Sequence, residues 1–87
     1  MLTKAAAVNL AGDGIRVNSI HPGVMPPMKG SGASPDSELR RRLLELVPMG
    51  RSGSVADVAN AAAFLASDAS AYITGVELPV DGGYLAM

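Results

Sequence analysis

Ile15-Arg16-Val17-Asn18-Ser19-Ile20-His21-Pro22-Gly23 is the stretch from which the rest of this 87-residue sequence is best read. Ile15 and Val17 alternate with Arg16 and Asn18, and Ile20 adds a third β-branched side chain, so the pattern predicts a strand over Ile15–Ile20. Pro22 removes a backbone donor and Gly23 permits a positive φ, so the strand should stop there. In open α/β sheets ligands sit at the carboxyl ends of the strands. Any chemistry is therefore expected around Pro22 and Gly23.

Upstream, Leu2 to about Ala11 predicts a helix, with Leu2, Ala6 and Leu10 on one face and alanines of high propensity between them. Gly12-Asp13-Gly14 should close it with a left-handed glycine. No good N-cap precedes Leu2, and the helix is expected to have begun before Met1. Downstream, Val24–Ala33 contains Pro26, Pro27, Gly30 and Gly32 and predicts a loop. A second helix is expected from Ser34 as N-cap, with Pro35, Asp36 and Glu38 in its first turn and Leu39, Leu43, Leu46 and Val47 as its apolar face. Arg40, Arg41 and Arg42 are expected on a solvated face, with Glu38–Arg42 and Arg41–Glu45 as i,i+4 pairs. Pro48 ends this helix, and Pro48–Gly53 is a turn.

Ser54 should cap a third helix, with Asp57 completing a variant of the capping box. Val55, Val58, Ala62 and Leu65 are its expected buried face, helped by Ala59 and Ala66. Ser67–Ser70 frays its end. A last strand follows at Val76–Val80, where Pro79 suggests an edge position, and Asp81-Gly82-Gly83 makes a turn. There is no internal repeat. The order α-β-α-α-β contains a parallel βαβ unit. Two parallel strands make a poor sheet, so Ile15–Ile20 is expected to lack a neighbour.

Composition narrows the function. Apolar residues make up 48% of the chain, too many for a disordered tail. The net charge of −1 gives no reason to expect nucleic acid or an anionic membrane as partner. The absence of cysteine excludes disulfides, a thiol nucleophile and thiolate zinc ligands. No apolar run approaches the ~20 residues of a membrane span. The start of the sequence does not fit a signal peptide, so a cytoplasmic protein is expected. Single residues mostly have ordinary readings. His21 is expected to be structural or solvent-facing, Asn18 to bond backbone at the strand end, and Asp81 to serve its turn. No metal site is expected. Met25, Met28 and Met49 either line an apolar pocket or fill gaps.

Seven short pieces then line up. They are Leu2-Thr3-Lys4, Gly14-Ile15-Arg16-Val17-Asn18, Pro22-Gly23, Pro48-Met49-Gly50-Arg51, Phe64-Leu65-Ala66-Ser67-Asp68, Ile73-Thr74-Gly75 and Val80-Asp81-Gly82-Gly83. In this order and spacing, from Leu2 to Tyr84, the sequence resembles the C-terminal third of a short-chain dehydrogenase/reductase. His21-Pro22-Gly23 is similar to members acting on steroids and cyclic secondary alcohols. The resemblance implies an α/β fold: the C-terminal part of a Rossmann-type, doubly wound parallel sheet, incomplete on its own. Residues 1–87 would be one portion of a single domain, with 24–47 as a substrate lid.

The resemblance further implies an oxidoreductase using NAD or NADP. The family's glycine-rich phosphate loop has no counterpart here. Its catalytic Tyr-x-x-x-Lys would fall upstream of Met1, and its catalytic Ser and Asn earlier still. Tyr72 is followed four residues on by Val76, Tyr84 lies too close to the end, and Lys4 matches a structural lysine. No catalytic residue is therefore assigned. Backbone at Pro22, Gly23, Val24 and Met25 maps to the family's contact with the nicotinamide carboxamide. A threonine common four residues after the glycine is Pro27 here. Little NAD(P) binding is expected from this chain alone. Self-association, or pairing with family subunits, is expected through Val55–Ala66 and Val76–Gly83. Three functions stay open: an oxidoreductase segment, a non-catalytic binding or oligomerisation module, and a new role on a borrowed segment.

Overall fold

The computed structural model describes residues 2–26 and 37–86. Helix α1 covers Leu2–Leu10, strand β1 Ser19–Pro22, helix α2 Glu38–Glu45, helix α3 Val55–Ala66 and strand β2 Glu77–Val80. The α/β reading and the α-β-α-α-β order hold. The two strands pair in parallel, Ser19 opposite Glu77 and Pro22 opposite Val80, with both later helices in the crossover. No helix among the described residues is long and apolar enough to cross a membrane.

The first strand is displaced from the expected Ile15–Ile20 to Ser19–Pro22. The cause is side-chain substitution in the ladder. The Val17 amide donates to Thr74 Oγ1 at 3.0 Å. Asn18 Nδ2 donates to the Ile73 carbonyl at 3.2 Å, and Asn18 Oδ1 accepts from the Val76 amide at 3.0 Å. Residues 17–18 are thus tied to 73–76 largely through side chains, beside one backbone bond from the Gly75 amide to Val17 O at 2.8 Å, and the Ile15 amide is turned back to Leu10 O at 3.2 Å, so regular pairing does not begin there. Pairing becomes regular from Ser19, whose amide donates to Val76 O at 3.0 Å, and runs on to Gly23, whose amide donates to Val80 O at 3.0 Å. By alternation, Pro22 and Pro79 both turn their missing donors away from the partner strand. Pro22 therefore lies within β1, where a stop had been expected.

Helix α1 closes as expected, through a 3-10 turn at Ala11–Asp13 and Gly14 at φ 77°. Its buried residue is Ala7, whereas Leu2 is exposed. Helix α2 begins three residues later than expected. Ser37 is its N-cap, with Oγ accepting from the Arg40 amide at 3.1 Å; the expected cap Ser34, with Pro35 and Asp36, lies outside the described residues. The helix is also rotated. Leu39 and Leu46 are exposed at 71% and 51%, and the inward stripe is Arg40, Leu44 and Val47. The reason is polar: Arg40 Nη1 donates to the Met25 carbonyl at 2.9 Å, turning that arginine inward. Glu38–Arg42 forms as expected at 3.1 Å, while Arg41–Glu45 is not among the ion pairs of the described residues.

Helix α3 carries the full capping box, Ser54 Oγ accepting from the Asp57 amide and Asp57 Oδ2 from the Ser54 amide. Its inward residues are Val58, Ala61 and Leu65, while Val55, Ala62 and Phe64 stay exposed. Hydrogen bonding from the Ser54 backbone, then from Arg51 at 3.2 Å, holds the Asp57 carboxyl below its ordinary 3.8. A lowered carboxyl pKa stabilises the fold above its unfolded value, and that contribution is lost as pH falls through the folded value. Asp57→Asn is therefore expected to lower the unfolding midpoint near neutral pH. The gap from the parent should close below about pH 3.8. Circular dichroism melts across this range measure it, and a gap that persisted at low pH would refute the assignment.

Among the described residues the buried apolar side chains are Ala7, Val47 and Leu65. Val47 seats against Gly82, which has φ 65° and where a Cβ would come within 2.6 Å of Val47 Cγ1. That contact fastens the end of α2 to the turn after β2.

Candidate functional site

Both strands run in the same direction, so their carboxyl ends meet at Pro22–Met25 and Val80–Gly83. The two segments touch at Gly23. A Cβ there would lie 2.7 Å from Asp81 Cβ and 2.8 Å from Asp81 Cα, closer than atoms approach. Gly23 is thus required for close approach. It is not among the glycines with positive φ, which corrects the reason first given for it.

The turn after β1 is held from two sides. The Val24 carbonyl accepts from the Gly53 amide at 2.8 Å. The Met25 carbonyl accepts from Arg40 at 2.9 Å. Met25 itself fills a gap, with its sulfur where a Cβ on Gly53 would meet it at 2.8 Å. With the Gly23 amide also engaged, the groups this turn can still offer a ligand, among the described hydrogen bonds, are the Pro22 and Gly23 carbonyls and the Val24 and Met25 amides.

Asp81 serves the opposite turn, as expected. Its Oδ1 accepts from the Gly83 amide at 3.0 Å and its Oδ2 from the Leu85 amide at 3.1 Å. His21 is exposed, its Nε2 3.2 Å from Ser19 Oγ, and Asn18 bonds backbone as anticipated. Pro27 and Met28 lie outside the described residues, as does the rest of 27–36 within the 24–47 segment read as a lid.

Two clefts flank the strand ends. One, of about 340 Å³, is bordered by Val24, Met49, Arg51, Asp57 and the Asp81–Gly83 turn. Its lining is mixed, with the Arg51–Asp57 ion pair at 3.2 Å among apolar Val24, Met49 and Val80. The other, of about 310 Å³, is bordered by His21–Val24, Leu43, Asp81, Tyr84 and Leu85. Of the site-shaping residues, sequence reasoning missed Arg40, hidden in a run of three arginines. The i, i+4, i+7 spacing of Arg40, Leu44 and Val47 was the available signal.

Residues 1–85 match the family model described as enoyl-(acyl carrier protein) reductase. Curated relatives include 2,5-dichloro-2,5-cyclohexadiene-1,4-diol dehydrogenase LinX from Sphingobium indicum, 44% identical over 97% of this chain and 33% of its own length. Another is 3beta-hydroxysteroid dehydrogenase 1 from Eggerthella lenta, 49% identical over 95% of this chain and 32% of its own. Among solved structures, a candidate 2-deoxy-d-gluconate 3-dehydrogenase from Agrobacterium tumefaciens with bound NADP superposes with a TM-score of 0.90 at 42% identity, covering 99% of this chain and 35% of that one. A short-chain type dehydrogenase/reductase from Mycobacterium ulcerans gives 0.89 at 39% identity, covering 98% and 31%. The chain spans about a third of the length of the curated relatives it matches. It belongs to the short-chain dehydrogenase/reductase family, of whose Rossmann-type fold it represents a C-terminal segment.

Proposed function

We propose that this chain forms one wall of the cofactor and substrate site of an NAD(P)-dependent alcohol or carbonyl oxidoreductase, and that alone it has no turnover. The observation that carries this reading is the braced turn at Pro22–Met25, set at the carboxyl ends of two parallel strands. Its remaining polar backbone groups suit an amide ligand such as the nicotinamide carboxamide. The nicotinamide, when bound, supplies or accepts the hydride. The part of these residues is to hold the carboxamide end and to shape the space beside it. The reading brings with it the cytoplasmic location expected from the sequence.

The rest of a dinucleotide has no cradle in the described residues. A pyrophosphate sits on backbone amides of a glycine-rich turn opening a helix. The helix openings described, at Ser37 and Ser54, each have a first-turn amide bonded by their own cap serine and an acid in the first turn, Glu38 or Asp57, which opposes a phosphate. Calorimetric titration of the 87-residue chain with NAD or NADP is therefore expected to show no saturation. Micromolar binding would refute the reading.

Exposed apolar side chains favour a second role, a binding module that associates with itself or with family subunits. Leu2, Val8 and Val55 are 85%, 79% and 75% exposed, and Phe64 46%. A chain of this size leaves such surface in water only at a cost of about 25 cal/mol per Å². The surfaces we propose for it are Val55–Ala66, where Val55 and Phe64 are exposed, and Val76–Gly83. Light scattering at micromolar concentration should report a mass above 8.8 kDa; a well-folded monomer is the outcome that counts against it.

A further inference from the structure

A third cleft, of about 440 Å³, opens at the amino-terminal ends of the strands, away from the Pro22–Met25 turn. Gly14, Ile15, Arg16, Asp68, Tyr72 and Thr74 border it. The Arg16 guanidinium is half-buried and carries five N–H donors. Two on Nη1 reach Ser70 Oγ and the Ile73 carbonyl, and one on Nη2 reaches the Ser67 carbonyl. All three acceptors are uncharged. The second Nη2 donor and Nε have no partner among the described hydrogen bonds. Thr74 adds a further donor, because its Oγ1 accepts from the Val17 amide and keeps its own proton to give. Asp68 stands exposed on the same border, its carboxylate in no described hydrogen bond. Neither Arg16 nor Asp68 belongs to an ion pair among the described residues.

We infer that this cleft takes a zwitterionic α-amino acid with an apolar side chain, its carboxylate on Arg16, its ammonium towards Asp68 and its side chain against Tyr72 and Ile15. The inference does not rest on the oxidoreductase reading. Charge selects the ligand. A half-buried cation bonded only to neutral groups favours an anion, and a carboxylate matches the plane of a guanidinium. A ligand carrying only an anion would bring it beside the Asp68 carboxylate, and one carrying only a cation would bring it beside Arg16. Arg16 and Asp68 are not paired with each other, so each is left to take one group of a ligand bearing both signs. The apolar part has surface to cover, since Tyr72 is fully exposed and Ile15 about half so. Size agrees, the volume lying within the usual range of about 300–1,000 Å³ for small-molecule pockets.

The test is an amide-resolved NMR titration of the 87-residue chain, near neutral pH and at fixed protein concentration. The probes are L-phenylalanine, 3-phenylpropionate and phenethylamine. L-Phenylalanine should give saturable shifts centred on Ile15, Tyr72 and Thr74, in the millimolar range usual for a ligand of about a dozen heavy atoms. 3-Phenylpropionate keeps the carboxylate but lacks the ammonium, and should bind about threefold more weakly, the effect of one exposed ion pair. Phenethylamine lacks the contact with the half-buried guanidinium and should bind at least about tenfold more weakly. Because Arg16 also holds the fold together, the variants are Asp68→Asn and Tyr72→Ala, both at exposed positions. Asp68→Asn should erase the preference for L-phenylalanine over 3-phenylpropionate. Tyr72→Ala should weaken all three probes and leave their order unchanged. Each readout compares probes on one chain, so a change in stability does not imitate it. Equal affinity for the three probes, tighter binding of either singly charged one, or shifts centred on Pro22–Met25 overturns the inference. A preference that survives Asp68→Asn overturns it too, as does the absence of saturable shifts.

Discussion

Fusing a family N-terminal part, running from a glycine-rich loop through Tyr-x-x-x-Lys, ahead of Leu2 is expected to raise turnover from background to on the order of 1 s⁻¹, within the ordinary range for enzymes. Three things are needed for the reaction: a tyrosine of lowered pKa as general acid/base, a lysine that lowers it, and a nicotinamide held against the substrate. None can be placed on the 87 residues. Tyr72 is fully exposed and has no lysine four residues on, while Tyr84 borders the apolar cleft. The segment nonetheless keeps what a complete site needs on its far side, the braced Pro22–Met25 turn and the cleft beside it. Nicotinamide absorbance with a panel of ketones and secondary alcohols measures the gain. The unfused chain, purified free of full-length enzyme, should give nothing, and turnover by it would defeat the proposal. A soluble, folded fusion that bound NADP yet reduced no ketone would defeat it from the other side.

The elements were legible in the sequence where local chemistry alone determines them. Ser54 and Asp57 announced the start of α3 because a capping box needs only four consecutive residues. Gly14 and Asp81 announced turns for the same reason. Parallel pairing followed from the helical crossover, and the family from short pieces in a fixed order. What could not be read was which side of a helix faces inward. The apolar residues of α2 suggested Leu39 and Leu43, yet one long-range bond from Arg40 to the Met25 carbonyl rotates the helix the other way. Apolar periodicity also counts surface that stays exposed here. Val55 and Leu2 fit a buried stripe by spacing, but nothing among the described residues covers them. The site was legible as a place, the end of β1, and less so in its reasons. Gly23 is there because Asp81 is too close for a Cβ, a contact 58 residues away in sequence that no local rule contains.

Arg16 shows the same limit at the largest energetic scale, and its removal should destabilise the fold more than any other single truncation of a half-exposed side chain. Its place in an alternating pattern marked it as the polar face of a strand. The structure makes it a clamp instead. Nη1 donates to Ser70 Oγ at 3.1 Å and to the Ile73 carbonyl at 3.2 Å, and Nη2 donates to the Ser67 carbonyl at 3.2 Å. Ser70 is fully buried, with its hydroxyl also within 2.9 Å of the Leu65 carbonyl. One guanidinium therefore ties the start of the β1 segment to the carboxyl end of α3, where a cation also complements the helix dipole. Hydrogen bonds from a charged donor contribute about 1.5–3 kcal/mol each, and they do not add when they share one group. Water can reach the vacated space, since Arg16 borders an open cleft with Ile15 and Tyr72. Arg16→Ala is therefore expected to cost about 2–3 kcal/mol, the range of one strong charged bond and not of three. For a domain of this size that corresponds to a fall of roughly 10–20 °C in the unfolding midpoint. Arg16→Lys should recover less than half, because an ammonium cannot serve three acceptors in one plane. Thermal and urea unfolding at a fixed protein concentration measures both variants, the fixed concentration keeping association from shifting the midpoint. An Arg16→Ala chain that melted within about 2 °C of the parent would show the clamp to be dispensable, the equivalent of well under 1 kcal/mol.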